Sequence, residues 1–159
     1  MKEQQYKIRI EWSGNVGEGT AFYNAYQRDF RLSAYNKGQV ILGSSDPAFL
    51  GDPERFNPEE MLVASISSCH MLWYLHLCAS QKIVVTSYDD HAEGFMQEKE
   101  DGSGFFSKVI LKPKITLFNI ADQHKADLLH KKANEMCFIA NSCNFEILHE
   151  ASYSENTLY

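Results

Sequence analysis

One long apolar segment constrains the fold more than any other part of the sequence. It reads NPEEMLVASISSCHMLWYLHLCAS, from Asn57 to Ser80. Asn57 suits the N-cap position, Pro58 the first helical position, and Glu60 the reciprocal position of a capping box. The residues that follow are apolar on nearly every side over about five turns. Such a segment predicts a long central helix that is buried in a core.

The same segment is almost long enough to span a bilayer, yet we interpret it as a core helix. It contains Ser65, Ser67, Ser68, His70 and His76, and the sequence has no second segment of this kind. A chain of 159 residues has difficulty wrapping such a helix on all sides. The sequence therefore favours an obligate homodimer, in which a partner subunit completes the burial, and no membrane partner.

Length, composition and charge limit the class of protein. The 159 residues are 44% hydrophobic and 23% charged, which fits one globular domain over residues 1–159. The net charge is -6 and no basic stripe is visible, so we expect no nucleic-acid partner. The first residues lack the apolar region of a secretory signal, and four cysteines without such a signal favour a reducing compartment. We therefore expect a cytoplasmic protein.

The order of the strand and helix patterns predicts an α+β domain. Four strand patterns precede the long helix, at residues 6–12, 20–26, 30–34 and 40–42. Residues 82–99 and 105–118 then predict a long antiparallel hairpin around an Asp-Gly turn. Pro113 would interrupt a central ladder, so we expect it at a sheet edge or a bulge.

A second helix is predicted over residues 123–140, with Asp122 as its N-cap. A short strand, Cys143–Leu148, is expected to close the domain, and the polar tail from Ser152 is expected to be loose. Spacings of three and four residues give the second helix one inward face. Its members are Ala126, Leu129, Ala133, Cys137 and Ala140.

Two of the four cysteines are candidates for redox chemistry. Free cysteine usually behaves as a small buried hydrophobe, and we interpret Cys78 and Cys143 in that way. Cys69 and Cys137 instead lie in the middle of the core-facing patterns of two helices that we expect to pack together. A peroxide-reducing site needs one thiolate to attack the O–O bond and a second thiol to convert the resulting sulfenic acid into a disulfide.

A reactive Cys69 would need a cation nearby. It lies twelve residues beyond the predicted N-cap, and the helix dipole fades within the first turn. Glu59 is a candidate carboxylate to hold an arginine, but it is roughly 15 Å from Cys69 along a straight helix. The arginine must therefore bridge part of that gap, or the site must combine two subunits. The chain has four arginines: Arg9, Arg28, Arg31 and Arg55.

These segments resemble the OsmC/Ohr family. NPEEMLVASISSCH is similar to the first cysteine motif of that family, and HKKANEMCFIANS, residues 130–142, is similar to the second. Better-characterised branches have phenylalanine after the first cysteine and proline after the second, whereas His70 and Phe138 stand here. The chain is thus identified as a divergent OsmC-like member. The resemblance implies an intertwined α+β homodimer, with antiparallel sheets around the long helix and two active sites at the interface.

The resemblance also implies an activity and its residues. It implies a thiol-dependent peroxidase that reduces organic hydroperoxides to alcohols, with no metal, haem or flavin. Cys69 would be the peroxidatic cysteine, Cys137 the resolving cysteine, and Glu59 the carboxylate that positions an arginine. Arg28 is our choice for that arginine, ahead of Arg31 and Arg55. An external dithiol, such as a lipoyl protein or another thiol, would reduce the disulfide.

Three other functions are considered. Cys69, His70 and His76 could be metal ligands, but the tight pairs typical of closed zinc sites are missing. A Cys–His hydrolase would need an oxyanion hole and an orienting residue, and the sequence indicates neither. A dimer with this fold could also bind a small apolar ligand without turnover. Reactivity of one thiol at neutral pH distinguishes the enzyme from this binding protein.

The remaining histidines and aromatic residues receive less specific interpretations. We interpret His70 and His76 as core or interface histidines with a hydrogen-bond partner. Trp73 and Tyr74 fit core packing or an apolar pocket that favours bulky hydroperoxides over hydrogen peroxide. The other four histidines are interpreted as residues at the surface or in support of a site: His91, His124, His130 and His149.

Overall fold

The computed structural model describes residues 1–156 and divides into two compact units, Met1–Met61 and Leu62–Tyr159. The first unit contains an antiparallel sheet of three strands in the order β1-β2-β3. These strands are β1 (Ile8–Trp12), β2 (Phe30–Ala34) and β3 (Ile41–Gly43), close to three of the predicted segments.

The strand predicted over residues 20–26 is wrong, because turns occupy this segment. Gly17 and Gly19, which precede it, have positive φ angles of 126° and 58°, which redirect the chain before any strand can start. The side chain of Asn15 accepts hydrogen bonds from both glycine amides, at 2.9 and 3.1 Å. This local turn competes with extended pairing.

Helix α1 (Pro58–Ser80) begins as the sequence predicts. The Glu60 amide donates to Asn57 Oδ1 at 2.8 Å, and the Asn57 amide donates to Glu60 Oε2 at 3.0 Å, which completes the capping box. At the other end, Lys82 has a left-handed φ of 60° and the Ile83 amide donates to the Cys78 carbonyl at 2.9 Å. This bond gives the Cys78 carbonyl, near the end of the helix, a hydrogen-bond partner, and the left-handed conformation of Lys82 ends the helix.

The second unit contains two further sheets of three strands, in the orders β4-β7-β9 and β5-β6-β8. In each sheet the first two strands pair antiparallel, and β8 or β9 is then added in parallel. Their bounds are β4 (Val85–Asp90), β5 (Glu93–Glu98), β6 (Gly104–Leu111), β7 (Pro113–Leu117), β8 (Glu146–His149) and β9 (Ser152–Glu155).

The predicted long hairpin is divided between these two sheets because Asp90 fixes a break in it. The Asp90 carboxylate accepts hydrogen bonds from the Lys112 amide at 2.7 Å and from the Ser67 hydroxyl on α1. Pro113 follows the break as the first residue of β7, the central strand of its sheet, so the expected edge position is wrong. A proline is tolerated there because the first residue of a strand need not donate to the ladder.

Helix α2 (Gln123–Met136) is shorter than predicted. It begins directly after Asp122, but the Asp122 side chain makes no capping hydrogen bond, so the predicted cap is wrong. At the other end Cys137 is already extended, with φ -70° and ψ 112°. The predicted end at Ala140 is therefore wrong, since that residue starts a 3-10 turn over Ala140–Ser142. Cys143 follows this turn and does not begin a strand.

The expectation of a loose tail is wrong for Ser152–Glu155, which form strand β9 and pair in parallel with β7, whereas residues 157–159 lie outside the described residues. Tyr153 explains the ordering, because its ring packs against the core and its hydroxyl donates to Asp127 at 3.2 Å. Pairing with a strand far away in sequence leaves no local signal that a periodicity argument can detect.

The second unit has two groups of buried residues, and α1 contributes to both. One contains Tyr74, Cys78, Ile115, Leu117, Ala126 and Ala133, and the other Ile66, Val109 and Leu111. Helix α1 is long enough and apolar enough to cross a membrane, but core helices of soluble proteins share this length and composition. The predicted α+β class is confirmed.

Candidate functional site

The structure brings Cys69 and Cys137 together, close enough for their thiols to interact electrostatically. Cys69 lies in the middle of α1 and is partly exposed, whereas Cys137 lies directly after α2 and is fully buried. The extended backbone at Cys137 releases the chain from the helix, and the Ala140 amide donates to its Sγ at 3.4 Å. Both thiols are free, as a disulfide-forming pair in the reduced state requires.

The environment of Cys137 keeps the proton on that thiol. Burial and then the hydrogen bond to Cys69 raise the pKa of Cys137 to about 11. At neutral pH Cys137 is therefore a neutral thiol. Of the two thiols, Cys69 is the one that solvent can reach.

Cys78 and Cys143 lie elsewhere and have packing roles. Cys78 is buried in the core beside Tyr74, and burial raises the pKa of its thiol. The Cys143 thiol donates to the Ile139 carbonyl at 3.2 Å, and burial raises its pKa as well. Neither environment favours a thiolate.

Arg28 is engaged within its own loop. Its guanidinium donates to the Tyr23 and Tyr26 carbonyls. It also lies over both tyrosine rings, 4.5 and 4.2 Å from their centroids. None of these contacts neutralises the positive charge of Arg28, and together they hold its guanidinium in a fixed position.

Arg55 is the arginine that carboxylates hold in this structure. It pairs with Asp29 at 3.2 Å and with Asp52 at 3.1 Å. Among residues 1–156, Glu59 forms no ion pair with any arginine of the same chain. The partnership of Glu59 with Arg28 stays a prediction, as do its alternatives.

An apolar pocket lies on the same side of α1 as Cys69. Leu72, Trp73 and His76 line a pocket of about 240 Å³. These residues are three, four and seven positions after Cys69, so all four share one helical stripe. The Trp73 ring also meets the edge of Phe138, with centroids 6.1 Å apart. Apolar surface thus extends beside both reactive-site cysteines.

Tyr74 does not belong to this pocket. It faces the core, fully buried, and its ring stacks on that of His130 with centroids 4.2 Å apart. Of the two aromatic residues that the sequence suggested for a pocket, only Trp73 lines it.

A buried pair of histidines confirms the interpretation of His70 as a core histidine with a hydrogen-bond partner, but sequence reasoning missed that the partner is His130. His70 Nε2 and His130 Nδ1 are hydrogen-bonded at 2.9 Å, with residue exposures of only 2% and 0%. The surface interpretation of His130 is therefore wrong. The spacing Ala126–His130–Ala133–Cys137 places His130 on the inward face of α2 and could have predicted its burial. Histidine was not counted on that face because it is polar.

Desolvation keeps both imidazoles neutral. Burial, assisted by the nearby His149, lowers the pKa of His70 to about 4. Burial and the two neighbouring imidazoles lower the pKa of His130 to about 3. The outer nitrogens, His70 Nδ1 and His130 Nε2, are buried without a hydrogen-bond partner among the described residues.

The alternative chemistries gain no support from this geometry. His70 uses its Nε2 to reach His130, so it is not oriented as a base for Cys69. Within the described part of the chain, no three His, Cys, Asp or Glu side chains converge to hold a metal ion.

Comparison with known proteins gives consistent matches along the chain. A family model described as OsmC-like protein matches residues 51–151. An OsmC-like protein of unknown function from Vibrio cholerae is 30% identical, with a TM-score of 0.81 over 94% of this chain and 100% of the other. The uncharacterized protein YmaD of Bacillus subtilis is 23% identical over 96% of each chain. An organic hydroperoxide resistance protein from Elizabethkingia anophelis shares the fold at 20% identity, with a TM-score of 0.67 over 98% of this chain and 100% of the other.

Proposed function

The chain belongs to the OsmC-like protein family, and from that premise we propose that it is a thiol-dependent peroxidase reducing organic hydroperoxides to alcohols. The contact between a partly exposed Cys69 and a buried, protonated Cys137 carries this proposal. Organic hydroperoxide resistance proteins among the structural relatives point to the same substrate class.

In the first step the Cys69 thiolate attacks the terminal oxygen of the hydroperoxide. The S–O bond forms as the O–O bond breaks, so the sulfur is oxidised to a sulfenic acid. The departing alkoxide takes up a proton and leaves as the alcohol. The Cys137 thiol supports this step by donating its hydrogen bond to the Cys69 sulfur.

In the second step Cys137 attacks the sulfenic sulfur of Cys69. The S–S bond forms and the S–O bond breaks, and the oxygen leaves as water with the Cys137 proton. Loss of the negative charge on Cys69 removes one of the causes that hold the Cys137 pKa high, so oxidation of the first cysteine prepares the second.

In the third step an external dithiol, such as a lipoyl protein, reduces the disulfide by thiol–disulfide exchange. Its two thiols become a disulfide, and both protein thiols are regenerated. The cycle needs no metal or organic cofactor.

The apolar pocket supports a preference for bulky hydroperoxides. Leu72 and Trp73 line this pocket on the helical stripe that also carries Cys69, and they offer apolar surface to an alkyl or aryl group. Hydrogen peroxide gains nothing from such contacts. Selectivity should therefore rise with the size of the apolar group on the hydroperoxide.

A homodimer is part of this proposal. Leu72 on α1 is 63% exposed in the single chain. Of the most apolar stretch of 18 residues in that helix, only 22% is buried. On β1, Ile8, Ile10 and Trp12 are exposed by 64, 55 and 44%. Apolar surfaces of this extent mark interfaces, and a second copy of the chain is the proposed partner.

Peroxide consumption tests the proposed activity. Reduced protein, a dithiol and cumene hydroperoxide should give catalytic loss of peroxide, and Cys69→Ser should abolish it. Cys143→Ser is the matched control, because that thiol bonds only to a local carbonyl. Equal rates for Cys69→Ser and wild type would refute the mechanism.

A further inference from the structure

We propose that the hydrogen bond between His70 and His130 positions α1 against α2 so that Cys69 and Cys137 can form their disulfide. This inference rests on the proposed redox role of the two cysteines. It makes the histidines positioning residues, since neither touches the peroxide in the mechanism above.

The first argument is the location of the pair. His70 directly follows Cys69 on α1, and His130 lies seven residues before Cys137 along α2. The histidine contact lies roughly 9 Å before the end of α2, where Cys137 follows. Together with the stacking of Tyr74 on His130, it fixes the crossing of the two helices at a point away from the cysteines.

The second argument is the geometry of the bond. The two rings are nearly coplanar, with an interplanar angle of 5°, and their centroids are 5.2 Å apart. The centroid separation is close to the 2.9 Å nitrogen–nitrogen distance plus the distance from each nitrogen to its own ring centre. The two centroids and the two nitrogens therefore lie nearly on one line, and the bond lies in the plane of both rings. Such a bond is directional and specifies orientation as well as distance.

The third argument is the weak specificity of the surrounding packing. The α2 residues in the core on either side of His130 are Ala126 and Ala133. Their methyl groups interlock little, so they permit the helices to slide. His130 itself is held in place by stacking on Tyr74 at 4.2 Å and on His149 at 4.8 Å.

The fourth argument is the unfavourable cost of the pair. Each histidine leaves one buried nitrogen without a partner among the described residues, and such groups destabilise a fold. Two apolar side chains of similar size would pack there at no such cost. A polar pair in this place is therefore better explained by orientation than by stability.

Disulfide closure is the step that depends on this orientation. The Cys137 sulfur must approach the Cys69 sulfur along the line of the departing group, and a misplacement of about 1 Å can slow a reaction about a hundredfold. Attack of Cys69 on a small oxidant has no such requirement, because the oxidant moves freely.

Substitutions that keep or move one nitrogen test the proposal. His70→Gln retains a nitrogen near the Nε2 position, and His130→Asn retains a polar atom near the Nδ1 position. His70→Asn and His130→Gln are the matched controls, equally polar but of the wrong reach. His70→Leu with His130→Leu removes the bond while keeping the core apolar.

Closure is measured with diamide, so that the result does not depend on hydroperoxide chemistry. Diamide adds to the first thiolate, and the second thiol displaces the hydrazine to give the disulfide. Rapid alkylation and mass spectrometry then give separate rates for loss of the Cys69 thiol and for closure with Cys137. Thermal unfolding of every variant is recorded in parallel.

We expect the two wrong-reach variants and the double leucine variant to close about ten- to a hundredfold more slowly than wild type. Their Cys69 thiols should be lost at the wild-type rate, and the leucine variant should be at least as stable as wild type. His70→Gln and His130→Asn should close within about threefold of wild type. Wild-type closure in the wrong-reach or leucine variants, or failure of His70→Gln and His130→Asn to restore closure, would overturn the positioning role.

The two proposals can fail separately. The protein could form the Cys69–Cys137 disulfide with diamide and yet fail to consume cumene hydroperoxide. That result would contradict the proposed peroxidase activity but not the positioning role of the histidines. A protein that consumes the hydroperoxide with equal closure rates in all variants would contradict only the positioning role.

Discussion

Acidification should destabilise this protein through its buried histidine pair. The pKa values of His70 and His130 are lowered in the folded state to about 4 and about 3, from an ordinary value of 6.5. The unfolded chain therefore binds more protons than the folded chain as the pH falls below 6.5. Above that pH the neutral pair carries no protonation penalty, and below it the free energy of unfolding falls with each further drop in pH.

The magnitude follows from the two pKa values. Between pH 7 and pH 5, each histidine should lower the free energy of unfolding by about 2 kcal/mol, and the pair by about 4 kcal/mol. A typical domain has only about 5–15 kcal/mol in total, so the effect is large.

Urea denaturation at pH 7 and pH 5, at one fixed protein concentration, measures this loss. The His70→Leu/His130→Leu variant is the control, because the remaining histidines titrate in both proteins. Wild type should lose about 4 kcal/mol more than the variant between the two pH values. An equal loss in the two proteins would refute the assignment of a buried neutral pair.

Four further predictions concern the cysteines, the pocket and the assembly. Cys137→Ser should react once with cumene hydroperoxide and stop with Cys69 as a sulfenic acid, which mass spectrometry detects as one added oxygen; sustained turnover would contradict the resolving role. Because burial still raises the pKa of Cys137 after Cys69 is oxidised, disulfide closure in wild type should accelerate with pH between pH 6 and pH 8 in stopped-flow measurements, by up to about tenfold per pH unit, and a flat profile would contradict this. Trp73→Ala should lower kcat/KM for cumene hydroperoxide roughly tenfold and leave that for hydrogen peroxide unchanged, since only the aryl group uses the pocket. Leu72→Glu should shift the species in sedimentation from dimer to monomer, and a persistent dimer would remove this face from the interface.

The features that local sequence determines were predicted well. The Asn57–Glu60 capping box fixes the start of α1 through contacts within one turn, so residue types alone suffice. The resemblance of the two cysteine segments to OsmC/Ohr motifs implied that Cys69 and Cys137 share a site; the structure places them as neighbours, and their redox roles stay predictions.

The features that depend on distant contacts were not predicted. The hairpin breaks where Asp90 binds a serine of α1 and the Lys112 amide, and strand β9 exists only because β7 lies beside it. His130 was assigned to the surface because histidine is polar, whereas a partner sixty residues away makes its burial tolerable.

The central claim is that Cys69 and Cys137 form one redox pair. Peptide mapping of the reduced protein after one equivalent of cumene hydroperoxide tests it most directly. The account predicts one disulfide, between Cys69 and Cys137, with Cys78 and Cys143 still as free thiols. A disulfide from Cys69 to Cys78 or Cys143, or oxidation that leaves Cys69 untouched, would contradict it.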